Sequence, residues 1–405
     1  MSKKSRGSTI RSTVLFIFLT LLQSARISAQ DKRAQIPGIL ANTYINISVG
    51  YIGYNFTNTQ METGFQASAI QIPHPSVRLA MDLHRFNKNL ITQLTYMRPV
   101  NWIQYKNVNG DRKSHSVWMN MLGLSMKYMI PFSKNFSAYA EGGIANITRN
   151  GFRIGNTDAI KTAEFVSVSL GTGLQYHLNS VWDFTFNSVW APSNGKHKQP
   201  QMFFIGGGVI YNTHQLSPEK LERDSKSGYI FPKNIFQVGY ANSVTGYSVN
   251  KFVAEGAVPV FWSGDVHVRQ GLMFHFQHNV FHTRKIFSMD WGTSLSLWQS
   301  KKNKDFFFTV SAYPLFRFTP IRTKPFDLYF VYSLAGPSFI SRIVIDGNEA
   351  GKHFTFQDFM GIGIFTGKKR NINAEIKIGH YSNGNLFPVN SGIDFPLGLS
   401  IGRTF

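Results

Sequence analysis

The sequence predicts an all-β protein of antiparallel transmembrane β-barrels, two eight-stranded barrels in tandem. Three observations predict it. Apolar and polar residues alternate with period two over long stretches. Beyond the N-terminus no long uninterrupted apolar run occurs, and mean hydropathy is only −0.14, so spanning by helices is disfavoured. Aromatic residues make up 15% of the 405 positions, 36 of them Phe. That is too many for a disordered chain and suits strands with one apolar face.

Residues 1–29 read as a secretory signal peptide. Lys3, Lys4, Arg6 and Arg11 precede an apolar stretch from Val14 to Leu22, and the small residues Ser28 and Ala29 follow. The apolar core is shorter than the roughly 20 residues a membrane-spanning helix needs. The chain has no cysteine, which excludes disulfides, thiolate metal sites and a Cys nucleophile. The net charge of +21 implies an anionic partner. For an exported chain that partner is a phosphorylated lipid surface rather than nucleic acid.

Residues 30–212 form the expected N-terminal barrel. Ile45, Ile47, Val49 and Tyr51 alternate with Asn46, Ser48 and Gly50. Val166, Val168, Leu170 and Leu174 alternate with Ser167, Ser169, Gly171 and Gly173. The run MFFIGGGVIYN from Met202 reads as a closing strand. Trp102, Trp118, Trp182 and Trp190 suit membrane interfaces. No chemical constellation stands out in this half. His74 and Ser76 form an H-x-S pair, but Pro75 separates them and Lys88 stands where a matching acid would be.

Residues 213–228, THQLSPEKLERDSKSG, are polar and lack alternation, so they read as a linker or periplasmic hinge. They argue against the alternative of one sixteen-stranded barrel, since periplasmic turns are short. Residues 229–405 form the second expected barrel. Its strands fall near 233–243, 266–278, 286–298, 305–318, 326–337, 353–366, 371–382 and 394–405. Phe306, Phe308, Val310, Ala312, Phe316 and Phe318 share one parity; Thr309, Ser311, Tyr313 and Arg317 share the other. Strands of about 9 to 13 residues fit membrane barrels better than soluble sandwiches, whose strands average about 5 or 6. Phe405 ends the chain on the lipid-facing parity of Phe395, Leu397, Leu399 and Ile401.

The chemistry lies in the last strands. Ile372, Ala374, Ile376 and Ile378 make an outward apolar row, and His380 and Ser382 continue it. Their Cβ atoms should stand roughly 6 to 7 Å apart, close enough for an imidazole to activate a hydroxyl. Polar groups on a lipid-facing row are costly unless used. In an eight-stranded barrel with periplasmic termini the seventh strand runs outward, so both residues fall near the outer leaflet. His275, His278 and His282 cluster in sequence, but their spread along one strand and its turn makes no convincing metal site. No cofactor is expected.

The run HYSNGN followed by NSGID resembles the outer-membrane lipid A 3-O-deacylases, the PagL-type acyloxyacyl hydrolase family. YSLAGPSFIS and HFTFQDFMGIGIF are similar to that family's fifth and sixth strands. The resemblance covers roughly residues 230–405, and its specific part is the last 26 residues. It implies an outer-membrane carboxylic ester hydrolase acting on lipid A or lipopolysaccharide without a metal. It also implies that Ser382 is the nucleophile, His380 the general base and Asp394 the orienting acid, where the family has Glu. Asn383 and Asn390, with the Gly384 N–H, are the implied oxyanion donors. By strict alternation Asp394 points inward, away from His380; Pro396 offers an irregular strand start that would turn it round. The other readings are a non-catalytic barrel, structural or adhesive, and a small-solute channel.

Overall fold

In the bilayer each backbone N–H and C=O must find a partner within the protein, and closed antiparallel ladders meet that demand. The computed structural model describes residues 31–72, 75–254 and 264–405. The expected signal peptide and His74 lie outside them.

Eight strands form the N-terminal ring: β1 (Tyr44–Tyr54), β2 (Ser76–Arg85), β3 (Leu90–Pro99), β4 (Ser114–Pro131), β5 (Phe136–Asn150), β6 (Ala163–His177), β7 (Trp182–Ala191) and β8 (Met202–Asn212). Each pairs with the next, and β8 returns to β1. A short hairpin-like layer, Ala67–Gln71 on Ile103–Val108, extends the sheet from β4. Eight more strands form the C-terminal ring: β9 (Asn234–Asn242), β10 (Val266–His282), β11 (Phe287–Ser300), β12 (Phe306–Arg322), β13 (Phe326–Ile340), β14 (Phe354–Thr366), β15 (Ile372–Ser382) and β16 (Ile393–Thr404). It closes through β16 on β9. Both rings lie in one compact unit, Arg33–Phe405.

Period two governs which way side chains point. On β12, Phe306, Phe308, Val310 and Phe318 are exposed, while Phe307, Thr309, Ser311, Tyr313, Leu315 and Arg317 are buried. The inside of the C-terminal ring is filled. Trp298, Tyr313, Tyr329, Phe359 and Tyr381 pack there, around ion pairs Arg317–Asp290 and Lys377–Glu375, the latter at 2.7 Å. The N-terminal ring is filled too. Tyr105, Val117, Met119, Ile147 and Phe204 plug its loop end, and Arg78 bonds Glu141 at 2.6 Å below them. Filled interiors are usual for eight strands and count against the channel reading.

The linker holds one helix, Pro218–Ser225, which an alternation pattern does not reveal. Its signals are local: Ser217 caps it, Pro218 occupies the first turn and Glu219 follows.

The turns near the chain ends of the C-terminal ring are short: residues 283–286, 323–325 and 367–371. The opposite end carries longer connections: the segment after β9, with the helix Ser248–Ala254, and residues 341–353 and 383–392. In outer-membrane barrels the long loops are extracellular. Strand β15 ends there, at Ser382.

Replacing Lys377 with Met leaves the Glu375 carboxylate buried without its cation. Breaking a buried pair in this way costs about 3–5 kcal/mol. The urea midpoint of the folded band in semi-native electrophoresis should fall accordingly; an unchanged midpoint would show that the pair does not hold the ring.

Candidate active site

On β15 the odd residues Asn373, Glu375, Lys377 and Tyr381 are buried inside the ring, and Ile372 and Ile376 are exposed on its outer face. His380 and Ser382 therefore face outward, as parity predicts. The partner strand breaks parity. Lys377 pairs with Gly398, yet Gly379 pairs with Phe395, so β16 carries one extra residue at Pro396–Leu397. A bulge of this kind reverses the face of every residue beyond it. Phe395 thus differs from the expected outward row: it lies in the core, stacked on Trp298 at 5.0 Å between ring centroids. Asp394 turns to the outer face, as the register partner of His380.

The inward turn of Phe395 depends on Gly379. A Cβ at Gly379 would stand 1.7 Å from the Phe395 ring. Gly392 serves His380 in a similar way. A Cβ there would stand 2.6 Å from His380 Nε2 and 3.1 Å from the Gly264 Cα.

Four titratable residues form one row across four strands. Asp358 on β14 pairs with His380, His380 with Asp394, and Asp394 with His267 on β10. His380 Nδ1 lies 3.9 Å from Asp358 Oδ2, and His267 Nδ1 lies 3.9 Å from Asp394 Oδ2. Acid and base alternate along the row. Asp358 joins this row although neither the HYSNGN nor the NSGID segment contains it. Its signal was present: an acid in the outward row of Phe354, Phe356, Met360 and Ile362. It is held by the Ala335 N–H at 2.5 Å, which a bulge between Ser333 and Gly336 aims at it.

The middle of the row, at His380 and Asp394, is covered rather than open to lipid. His380 is 3% exposed and Asp394 1%. The helix Ser248–Ala254 packs on β15 and β16, and Asn250 Nδ2 bonds the Phe395 carbonyl at 3.1 Å. Tyr247 donates its hydroxyl to the Val268 carbonyl and packs on His267. Burial and the Asp394 charge raise that hydroxyl above the usual tyrosine range, which keeps it a donor. Ser382, at the strand end, stays partly accessible.

The loop after Ser382 aims donors at it. The Gly384 N–H reaches Ser382 Oγ at 3.1 Å, and Asn390 Nδ2 reaches it at 3.3 Å. Asn383 differs from expectation. Its side-chain amide is committed to the Val389 carbonyl at 2.6 Å and the Ala350 carbonyl at 3.3 Å. Its own N–H donates to Asn390 Oδ1 at 2.9 Å. Asn383 ties the loop together, while Gly384 and Asn390 face the hydroxyl.

The histidines at 275, 278 and 282 do not converge. His275 points inward onto Tyr313 Oη at 2.8 Å, His278 bonds Asn234 at 2.8 Å, and His282 stacks on Phe231. The N-terminal ring holds another Ser, His and acid. Ser137 Oγ lies 3.4 Å from His177 Nε2, and His177 Nδ1 lies 3.0 Å from Asp183. These residues line a cavity of about 580 Å³ at the turn end. Asp183 also accepts from Gln175 and Asn212. Ser137 and Asp183 are buried inside the N-terminal ring.

Residues 270–402 match the family described as lipid A 3-O-deacylase (PagL), the family that the HYSNGN and NSGID segments resemble. The chain is thus an outer-membrane β-barrel protein of Gram-negative type whose C-terminal ring is PagL-like. Similar solved structures include the outer-membrane enzyme PagL, at 14% identity and TM-score 0.30, covering 42% of this chain and 99% of that one. Neisserial surface protein A matches at 12% identity and TM-score 0.30, over 42% and 97% of the two chains. The N-terminal β-barrel domain of Pseudomonas aeruginosa OprF matches at 12% and 0.29, over 42% and 98%. No curated protein matches the sequence.

Gly379→Ala should drive Phe395 out of the core. Overpacking of this kind costs about 1–3 kcal/mol, and the near-UV circular dichroism of the Trp298 stack should weaken. An unaltered spectrum with unaltered stability would show that the bulge does not depend on Gly379.

Proposed function

We propose that this protein is an outer-membrane serine esterase that removes an ester-linked acyl chain from lipid A or lipopolysaccharide. One observation carries the reading: two N–H donors meet at the Ser382 hydroxyl, beside a histidine flanked by carboxylates on both neighbouring strands. The family match over residues 270–402 supports it. So does position, at the loop end and on the outward face, where an acyl chain and a phosphorylated headgroup would lie together. The net charge of +21 suits such a surface.

In the proposed reaction His380 takes the proton of Ser382 as the oxygen attacks the ester carbonyl carbon. The carbonyl oxygen becomes an oxyanion and accepts hydrogen bonds from the Gly384 N–H and Asn390 Nδ2. The carbon–oxygen bond to the sugar breaks, and His380 returns the proton to the leaving alkoxide. Water, deprotonated by His380, then attacks the acyl carbon; its bond to Ser382 Oγ breaks, the fatty acid leaves, and His380 returns the proton to Oγ. Asp394 and Asp358 hold the imidazole and stabilise its charged form. The shorter Asp394, where the family has Glu, is offset by a second acid on the opposite strand.

Mass spectrometry of lipid A from cells making the protein should show loss of one ester-linked acyl chain. Ser382→Ala should abolish the loss; identical acylation with both proteins would sink the esterase reading. Asp394→Asn and Asp358→Asn should each lower kcat. The acid that orients the imidazole should show the larger loss, about 100- to 10,000-fold.

A further inference from the structure

The loop that bears Gly384 and Asn390 is gripped from outside by the N-terminal ring. Gly384 and Asn385 have φ of 62° and 58°, and Leu386 N–H bonds the Asn383 carbonyl at 3.1 Å. This is a tight turn with both central residues left-handed. Its carbonyls point away from Ser382, toward β3, β4 and β5. Tyr96 Oη reaches the Gly384 carbonyl at 3.3 Å. Asn120 Nδ2 reaches the Asn385 carbonyl at 2.9 Å. Thr148 Oγ1 and Asn146 Nδ2 reach the Leu386 carbonyl at 2.7 and 3.4 Å. Nearby, Lys352 bonds both carboxylate oxygens of Glu164 at 3.1 Å.

These donors sit where a lone barrel would show lipid apolar groups. On β4 the outward row continues with Leu122, Leu124 and Met126, and on β5 Ile144 precedes Asn146. Polar groups on such a row are costly unless used. Three successive turn carbonyls without partners near the bilayer would be costly too. Pairing one set with the other removes both costs. Asn120 is 2% exposed and Thr148 1%, so these contacts are sealed.

The clamped turn is the one that builds the site. Gly384 offers its N–H to Ser382 and its carbonyl to Tyr96. Asn385 Oδ1 accepts from Asn390 Nδ2 at 2.7 Å, the same nitrogen that reaches Ser382. The clamp is therefore one residue removed from each donor aimed at the hydroxyl.

We propose that the N-terminal ring is a positioning partner of the esterase site, with Asn120 and Thr148, aided by Tyr96 and Asn146, fixing the 384–386 turn so that Gly384 and Asn390 stay aimed at Ser382. The catalytic part rests on the function proposed above. The two rings then act as one unit, and the first is neither a spare copy nor a separate pore.

The test uses the full chain in detergent micelles with purified lipopolysaccharide as substrate. The double variant Asn120→Ala/Thr148→Val should speed amide hydrogen exchange in peptide 383–391 while β15 and β16 keep their protection. Its kcat per folded protein should fall roughly 10- to 100-fold, the scale of a misplaced catalytic group, with KM little changed. Thr148→Ser keeps the hydroxyl and should keep both properties. Unchanged exchange in the loop would overturn the clamp. A loosened loop with unchanged kcat would overturn its positioning role. A wild-type protein that cleaves no lipopolysaccharide would sink the esterase reading alone, because loop exchange still decides the clamp.

Discussion

The structure depends on one constraint: backbone polar groups in a bilayer must be paired within the protein. Two closed antiparallel rings satisfy it. Closure at eight strands leaves an interior that side chains fill, with Trp298, Tyr313 and Tyr329 in one ring and Tyr105 and Phe204 in the other. The regular ladder leaves little freedom for chemistry. Chemistry gathers where the ladder becomes irregular, at the loop end of the C-terminal ring.

Two bulges make that end different. The extra residue at Pro396–Leu397 sends Phe395 inward and Asp394 outward. The bulge near Ala335 supplies an N–H for Asp358. Gly379 and Gly392 make room for the Phe395 ring and the His380 imidazole. The result is a row of Asp358, His380, Asp394 and His267 across four strands, with Ser382 just beyond. The middle of the row is shielded by the segment after β9, whose Asn250 bonds the Phe395 carbonyl. Lower local dielectric strengthens every interaction in such a row.

The polar outward patch of the N-terminal ring has the same logic. Asn120, Asn146 and Thr148 lie on a row that otherwise carries Leu, Met and Ile. They meet the carbonyls of the turn after Ser382. A cost on one surface and a cost on the other cancel where the two surfaces touch. The side of that turn opposite Ser382 is thereby occupied, and its N–H side is left for the hydroxyl.

Much of this was written in the sequence. Period-two alternation determined the strands of the C-terminal ring to within a few residues, because each side chain chooses lipid or interior by parity. The same parity put His380 and Ser382 on the outer face, and the HYSNGN and NSGID segments pointed to the family. Local signals at Ser217 and Pro218 also specified a helix, though alternation hides it. Only the tertiary structure decided the rest. Strict parity turned Asp394 inward, and a bulge in the ladder reversed it, since register belongs to a pair of strands and not to either one. Asp358, His267 and Asn120 come from distant parts of the chain, so no spacing links them to Ser382. Asn383, expected to face the hydroxyl, instead ties its own loop to the carbonyls of Val389 and Ala350. A side chain's partner is fixed by what the folded loop brings within reach, and that information is not local.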